Sequence, residues 1–415
     1  MSTLHAPSTA PVGHGAPAGA PTLAVRVICT GLLLSVLLQR VAVPVGEDGI
    51  SVVLVLGYAV LGVLLLLGLV EPDRRRAQLY VLACAACGVA AWSATWTARP
   101  LATMSYLLLV VVYVPWVFRL RPGAGTPETT WRVVRFFVRM MVFFGAVSVG
   151  QQAAQLSGAW TFQDYLAEVL PPELVLGDYN AVIPVEYASP VMKSQAFVFL
   201  EPSFLCQFLA LGVLAALLVR APLWQPFLMC LGMLATYSGT GIFLLAVGGV
   251  ILLLRSPSSV RPRLVAAAAA VVVLVLSSPL AAPLLERSEE TRDSTSSWSL
   301  RFVLPYEEVA KGLRDAPVRY LTGAGPGASE RLLENDKQGA GLAVVYPVVP
   351  KVVFEYGVPA GGLFLAFWFV ALLRGAWLRV LPGALVFMLA VLSGSLLQPS
   401  TIVLAWLLSC VFADD

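Results

Sequence analysis

The sequence is short of charge. Of its 415 residues only 12% are Asp, Glu, Lys or Arg, while 58% are hydrophobic. Soluble domains carry about 25% charged residues, and half that share leaves too little polar surface to face water on all sides. Histidine is nearly absent. His5 and His14 both lie in the first 22 residues, which removes imidazole from any acid–base scheme in the body of the chain. Cysteine is sparse, and Cys29, Cys84, Cys87, Cys206, Cys230 and Cys410 all fall inside apolar runs. They imply neither a disulfide framework nor a zinc site. Cys84 and Cys87 read as small packing residues despite their C-x-x-C spacing. The net charge of +3 comes without a basic, aromatic-interleaved patch, so nucleic acid is excluded as a partner. No acidic cluster demands a metal. Gly323-x-Gly325-x-Gly327 lacks the strand–turn–helix setting of a dinucleotide fingerprint, so no cofactor is expected. No internal repeat is apparent.

What the sequence has instead is long apolar runs, and a mean hydropathy of +0.82. Runs of about 20 apolar residues cross a bilayer as helices. They predict spans near 24–43, 50–70, 79–97, 101–118, 133–154, 203–219, 222–237, 240–254, 264–283, 351–373, 380–396 and 400–412. The expected fold is therefore an all-α integral membrane protein of about twelve transmembrane helices. The last span is short and reads either as a full crossing or as a re-entrant unit paired with its neighbour. Residues 1–22, rich in Ala, Pro, Gly and Ser, read as a disordered tail, and 23–415 as the membrane domain. No basic segment precedes an early apolar stretch, so a cleaved signal peptide is not expected.

Orientation follows from the short loops. One alternating set holds Arg74, Arg75, Arg76, Arg119, Arg121, Arg132, Arg220, Arg255, Arg261, Arg263, Arg374 and Arg379, with Glu71, Asp73 and Glu128 among its few acids. The opposite set holds Glu47, Asp48 and Arg99. Positive loops stay in the cytoplasm, which places both termini there. Two larger loops, 155–200 and 284–350, then lie outside. In the second, Tyr306, Val309, Ala310 and Leu313 recur at helical spacing and predict a short amphipathic helix. The stretch Thr322 to Ser329 follows as a flexible turn.

Four polar features fall at the external ends of predicted helices. In Phe199-Leu-Glu-Pro-Ser-Phe204, Pro202 suits a first helical position and Glu201 a capping one. A plain N-cap and a carboxylate that orients a hydroxyl are both open readings, with Lys193 and Gln195 just upstream. Tyr237-Ser-Gly-Thr-Gly241 is a tight turn in which Ser238 and Thr240 could meet a ligand, or a simple hairpin connection. Ser297, Ser299, Arg301, Arg314 and Arg319 lie in the larger loop. An arginine there can grip a diphosphate in a fork or serve as an ordinary solvated charge. In Pro350-Lys-Val-Val-Phe-Glu-Tyr-Gly357, Lys351 and Glu355 share a helix face, and Glu355 falls about one turn into the bilayer. An ionisable group at that depth is a functional hypothesis by default, against the alternative of pairing with Lys351. Gln398-Pro-Ser400 repeats the polar-Pro-Ser helix start.

These elements resemble the O-antigen ligase and polysaccharide polymerase superfamily of bacterial membrane proteins. The matching pieces are residues 199–204, the 237–241 turn, Ser299-Leu-Arg301, residues 321–327 and 351–357, in that order across about half of the chain. The resemblance implies a polytopic, GT-C-like glycosyltransferase. Such an enzyme takes a glycan from a polyprenyl diphosphate and joins it to an acceptor hydroxyl outside the cytoplasmic membrane. Arg301 would hold the diphosphate with Lys193 or Lys351 assisting, and Glu201 would orient or deprotonate the acceptor. Ser238, Thr240, Glu355 and Gln398 would line the substrate site. Ligases of the superfamily place a functional histidine in the large external loop, and this chain has none there. That favours a polymerase of lipid-linked repeat units, working in the bilayer with a flippase and a chain-length regulator as possible partners. A ligase and a lipid-linked glycan flippase are the alternatives. Transport is disfavoured because the polar groups collect at the rim and not at mid-membrane.

Overall fold

The computed structural model describes residues 19–45, 48–96, 102–177, 179–186, 189–255, 303–329, 346–373, 380–392 and 395–412. The predicted span at 264–283 and Arg301 lie outside them.

The described chain is mostly helical. The first nine helices are α1 (Ala20–Leu37), α2 (Val52–Leu66), α3 (Arg74–Thr95), α4 (Thr103–Val112), α5 (Pro127–Leu156), α6 (Tyr165–Val169), α7 (Pro202–Leu218), α8 (Trp224–Ala235) and α9 (Gly239–Arg255). Then come α10 (Leu304–Asp315), α11 (Arg319–Thr322), α12 (Val348–Leu373), α13 (Val380–Phe387) and α14 (Pro399–Ala405). Four of these, α1, α3, α5 and α12, are long and apolar enough to cross a membrane. The other apolar helices are shorter. The starts obey local chemistry. Ser51, Asp73 and Thr126 accept backbone N–H bonds at the starts of α2, α3 and α5, and Pro127 follows in the first turn of α5. α1 begins at Ala20, inside the stretch expected to be a disordered tail. α10 matches the amphipathic helix expected from its periodicity, with Val309 and Leu313 buried.

The bundle has two chemically different ends, separated by the length of α2, about 22 Å for a helix of its size. At one end, the antiparallel hairpin β1 (Ala42–Val45) and β2 (Asp48–Ser51) joins α1 to α2. Val41 bridges to Val175, and the Leu176 N–H donates to the Arg40 carbonyl at 2.9 Å. The hairpin and the loop after α5 therefore share this hairpin end. At the other, arginine-rich end, β3 (Val70–Pro72) pairs with β4 (Phe118–Leu120). There Arg119 lies 3.4 Å from Glu71 and 3.5 Å from Asp73. The Leu120 N–H reaches the Val411 carbonyl at 2.6 Å, and the buried Arg76 guanidinium donates to the Cys410 carbonyl. The segments that follow α2, α4 and α14 thus gather together.

Two helices are buried on every side, as helices apolar all round must be. Residues Pro202 to Ala216 of α7 are all buried, and α7 packs on α5, α8 and α9. Every residue from Ser400 to Phe412 is buried too, with α14 lying against α1 and α2. α12 packs along α3, and α13 touches α7, α9 and α12. The span predicted over 351–373 is not one continuous helix. It breaks at Gly357 (φ 74°, ψ 170°), with Pro359 just beyond.

Candidate active site

Glu201 occupies the N-cap position of α7, as its place before Pro202 dictates, and its carbonyl accepts from the Phe204 N–H at 3.1 Å. Its side chain, however, makes no capping bond to the helix backbone. The carboxylate Oε2 accepts from the Ser203 hydroxyl at 3.0 Å instead. The expected cap is therefore a cap by backbone alone, and the carboxylate is directed to side-chain chemistry.

The turn at 237–241 joins this helix start. The Ser238 and Thr240 hydroxyls are 3.0 Å apart, and Thr240 donates to the Ser203 carbonyl at 3.4 Å. The approach is close enough that a Cβ at Gly241 would fall 2.3 Å from the Cys206 carbonyl oxygen, so only glycine lets α9 lie against α7 there. Tyr237 adopts a left-handed backbone (φ 48°). Burial raises its hydroxyl pKa above the ordinary value; a hydrogen bond with Gln152 opposes this and the charge of Glu186 adds to it.

Lys193 belongs to the same rim. Its N–H donates to the Ile183 carbonyl at 2.8 Å, and the Ser194 N–H reaches the Ala235 carbonyl at 3.1 Å. The Ser194 hydroxyl donates to Gln151 Oε1 at 2.8 Å and accepts from Ser148 at 2.9 Å. Gln155 brackets Met192 through both amide atoms, at 3.1 and 2.9 Å. α5 therefore carries a ladder of buried amides and hydroxyls that fixes the chain leading into Glu201.

The second group forms around the break in α12. In an intact helix the Glu355 carbonyl would accept from residue 359, but Pro359 has no N–H. The Phe354 carbonyl would accept from residue 358, which the left-handed Gly357 displaces. Buried carbonyls need partners, and the glycine-rich turn supplies them. The Ala324 N–H donates to Phe354 at 2.8 Å and the Gly325 N–H to Glu355 at 2.9 Å. A Cβ on Gly323 would fall 2.3 Å from the Glu355 carbonyl oxygen, and one on Gly357 would fall 2.5 Å from that of Leu321. The stretch expected as a flexible turn is thus a fitted clamp. It also brings Ser329 to Glu355, whose Oε1 accepts its hydroxyl at 2.5 Å. Glu355 and Lys351 are both buried in the first segment of α12. Gln398 caps α14 in the same backbone-only manner as Glu201, and accepts from the Thr401 hydroxyl at 3.2 Å through its carbonyl.

The helix directions place all these groups at one end. α7 and α9 start at the hairpin end. α12 and α14 finish at the arginine end, where the Ser409 hydroxyl meets the Leu372 carbonyl at 2.8 Å. Lys193, Glu201, Ser238, Thr240, Lys351, Glu355 and Gln398 therefore share the hairpin end. Glu201, Ser238 and Thr240 are joined through Ser203, and Glu355 is joined to Ser329, with α13 packed against the helices that carry Glu201, Thr240 and Glu355.

One ion pair was not anticipated from the sequence. Arg40, buried just past α1, grips Asp164 in a fork at 2.5 and 2.8 Å and donates to the Phe197 carbonyl at 3.2 Å. Burial works to raise the Asp164 carboxyl, but the Arg40 fork and backbone N–H bonds outweigh it and hold the group below its ordinary value. The available signal was a lone arginine at the helix end otherwise poor in positive charge. Such a residue, once buried, calls for a carboxylate.

The family described as WcaD colanic acid polymerase matches residues 25–412. The chain belongs to that family. Comparison with curated proteins gives no match. As a member of the WcaD family the protein is an integral membrane enzyme that polymerises lipid-linked oligosaccharide repeat units into a polysaccharide. The match takes in the Glu201 rim, the 237–241 turn and the broken α12 alike.

Proposed function

We propose that the hairpin end is the catalytic face and points away from the cytoplasm, and that repeat units are joined there. The observation that carries this reading is the gathering of every described candidate side chain at that end, while the arginine-rich loops lie at the other. Loops rich in arginine stay cytoplasmic, which supports cytoplasmic termini and an enzyme in the bacterial cytoplasmic membrane. With the predicted span at 264–283 included, the apolar segments make about twelve crossings of a GT-C-like architecture. The loops at 155–200 and 284–350 then lie on the catalytic face, and the N-terminal tail that precedes α1 lies on the cytoplasmic side.

In the reaction, an acceptor hydroxyl oxygen bonds to the anomeric carbon of the sugar attached to diphosphate. The bond from that carbon to the diphosphate oxygen breaks, and polyprenyl diphosphate leaves with the electron pair. Charge growing on the leaving group calls for cations. Arg301 fills that role, assisted by Lys193 or Lys351. Glu201, with its carboxylate directed to side-chain chemistry, orients the acceptor hydroxyl and receives its proton in a hydrogen bond. Ser238, Thr240, Glu355 and Gln398 bind sugar hydroxyls or hold the groups that do. A flippase supplies the repeat units, and a chain-length regulator acts beside the enzyme.

The test is the size distribution of surface glycan in cells that lack the protein and are complemented with variants. Cells without it should retain exported single repeat units and lose long chains. Glu201→Gln and Arg301→Ala, present at normal membrane levels, should each fail to restore them. Full-length polymer from both variants would refute these roles, and repeat units trapped inside the cell would refute the catalytic face.

A further inference from the structure

Between α5 and α7 the chain carries a group of aromatic rings that the proposed reaction does not use. Trp160 and Tyr165 stack with centroids 6.2 Å apart and planes 22° from parallel, and Phe197 packs against both at 5.7 and 6.1 Å. The Trp160 indole N–H donates to the Tyr165 hydroxyl at 2.9 Å. The group is not sunk in the core, for Tyr165 is 45% exposed and Trp160 and Phe197 are half-buried.

Three features distinguish these rings from the scattered aromatics of a membrane interface. They sit on a loop and the short α6, not on the flank of a long apolar helix. They are locked: Arg40 holds Asp164, which caps α6 beneath Tyr165, and the same guanidinium holds the Phe197 carbonyl. Phe197 and its neighbour Ala196 also both stand in left-handed backbone, φ 65° and 49°. Non-glycine residues are rarely held so unless the surroundings impose it, and such strain collects at ligand sites. Phe197 is four residues before Glu201, so the Cα atoms of the two residues lie within about 14 Å of each other.

A rigid, half-exposed aromatic surface suits one class of ligand in a polysaccharide polymerase. The face of an aromatic ring is electron-rich and attracts the weakly positive C–H groups on the apolar face of a sugar ring. Trp and Tyr supply that contact at low cost in side-chain entropy. We propose that Trp160, Tyr165 and Phe197 form a stacking subsite for a saccharide ring of the glycan substrate beside Glu201. This rests on the placement of catalysis at the hairpin end. Arg40 and Asp164 are positioning residues for the subsite and do not touch the sugar.

The test uses the full-length protein in lipid nanodiscs and a lipid-free oligosaccharide cut from the cell's own polysaccharide, with binding followed by calorimetry. Trp160→Ala and Tyr165→Leu should each weaken binding about tenfold, while Trp160→Tyr should restore most of it. Leucine keeps the apolar bulk, so a role in packing or lipid anchoring would tolerate it and stacking would not. Polymer made by the two weakened variants should be shorter, with the variants at normal level in the membrane. Glu201→Gln should polymerise nothing and still bind the oligosaccharide, which separates the subsite from the catalytic assignment. Unchanged binding in Tyr165→Leu, or native protein that does not bind the oligosaccharide, would overturn the proposal.

Discussion

Replacing Gly357 by alanine tests whether the break in α12 is a built element of the site. Two penalties arise. The backbone there, at φ 74° and ψ 170°, is a region only glycine enters freely, and an alanine held in it costs about 1–3 kcal/mol. The new Cβ would also meet the Leu321 carbonyl oxygen at 2.5 Å and the Gly323 nitrogen at 2.9 Å. Those atoms are backbone, so relief requires the 321–325 turn to lift away from α12. That gives up the Ala324–Phe354 and Gly325–Glu355 hydrogen bonds, each worth about 0.5–1.5 kcal/mol. The strain alone sets about 1–3 kcal/mol against the docked turn, or roughly tenfold to a hundredfold in its open population. Hydrogen exchange of the full-length protein in nanodiscs reads this directly at the Ala324 and Gly325 amides. Both should exchange faster by about that factor, and polymer yield should fall as Glu355 loses its setting. Gly362→Ala is the control, since a Cβ there has nothing within 4 Å and costs nothing in helical backbone. Native exchange at Ala324 in Gly357→Ala would refute the reasoning.

Other perturbations follow the same logic. Arg40→Met leaves Asp164 without its fork and should lower stability by about 3 kcal/mol, seen as a lower melting temperature in detergent. The Asp164 carboxyl is held below its ordinary value of 3.8, so its contribution is complete above about pH 4 and is lost as pH falls through the folded-state value. Asp164→Asn should therefore start less stable at neutral pH and lose the part of the acid-side decline that Asp164 supplies, as melting across a pH series will show. Ser329→Ala removes the donor to Glu355 and should cost about 1–3 kcal/mol, with loss of polymer at constant membrane level. Gly241→Ala should separate α7 from α9 at a cost of about 1–3 kcal/mol from overpacking, and loosen the Ser238–Thr240 contact with Ser203.

Much of the architecture was legible because apolar runs and helix starts are local. Pro202 does stand in the first turn of α7, and the spacing of Val309 and Leu313 marked the buried side of α10. Charge along the chain also marked one end, since Asp73, just before Arg74 to Arg76, does meet Arg119. The non-local features were not legible. Arg40 and Asp164 are 124 positions apart, and nothing in either neighbourhood names the other. The break in α12 was hidden because glycine is common in membrane helices, and the run holds Gly361 and Gly362 besides Gly357. The missing N–H of Pro359, together with the Ala324 and Gly325 amides that reach the Phe354 and Glu355 carbonyls, explains it. For Glu201 the sequence left a plain N-cap and a carboxylate that orients a hydroxyl both open. Ser203, two residues on, competes for the carboxylate, and sequence does not decide between them.

The burial of α14 on all sides has a consequence for how the protein is made. Thirteen described helices precede it in the chain, so the ribosome delivers the centre of the bundle after the walls. Until then α1 and α2 lack the side chains that later lie against Gly31 and Gly57, Leu407 and Val403, and the arginine end lacks the Cys410 and Val411 carbonyls that Arg76 and Leu120 require. Assembly therefore closes around a late guest, and a cell surveying nascent membrane proteins would meet a hollow bundle for as long as that guest is delayed.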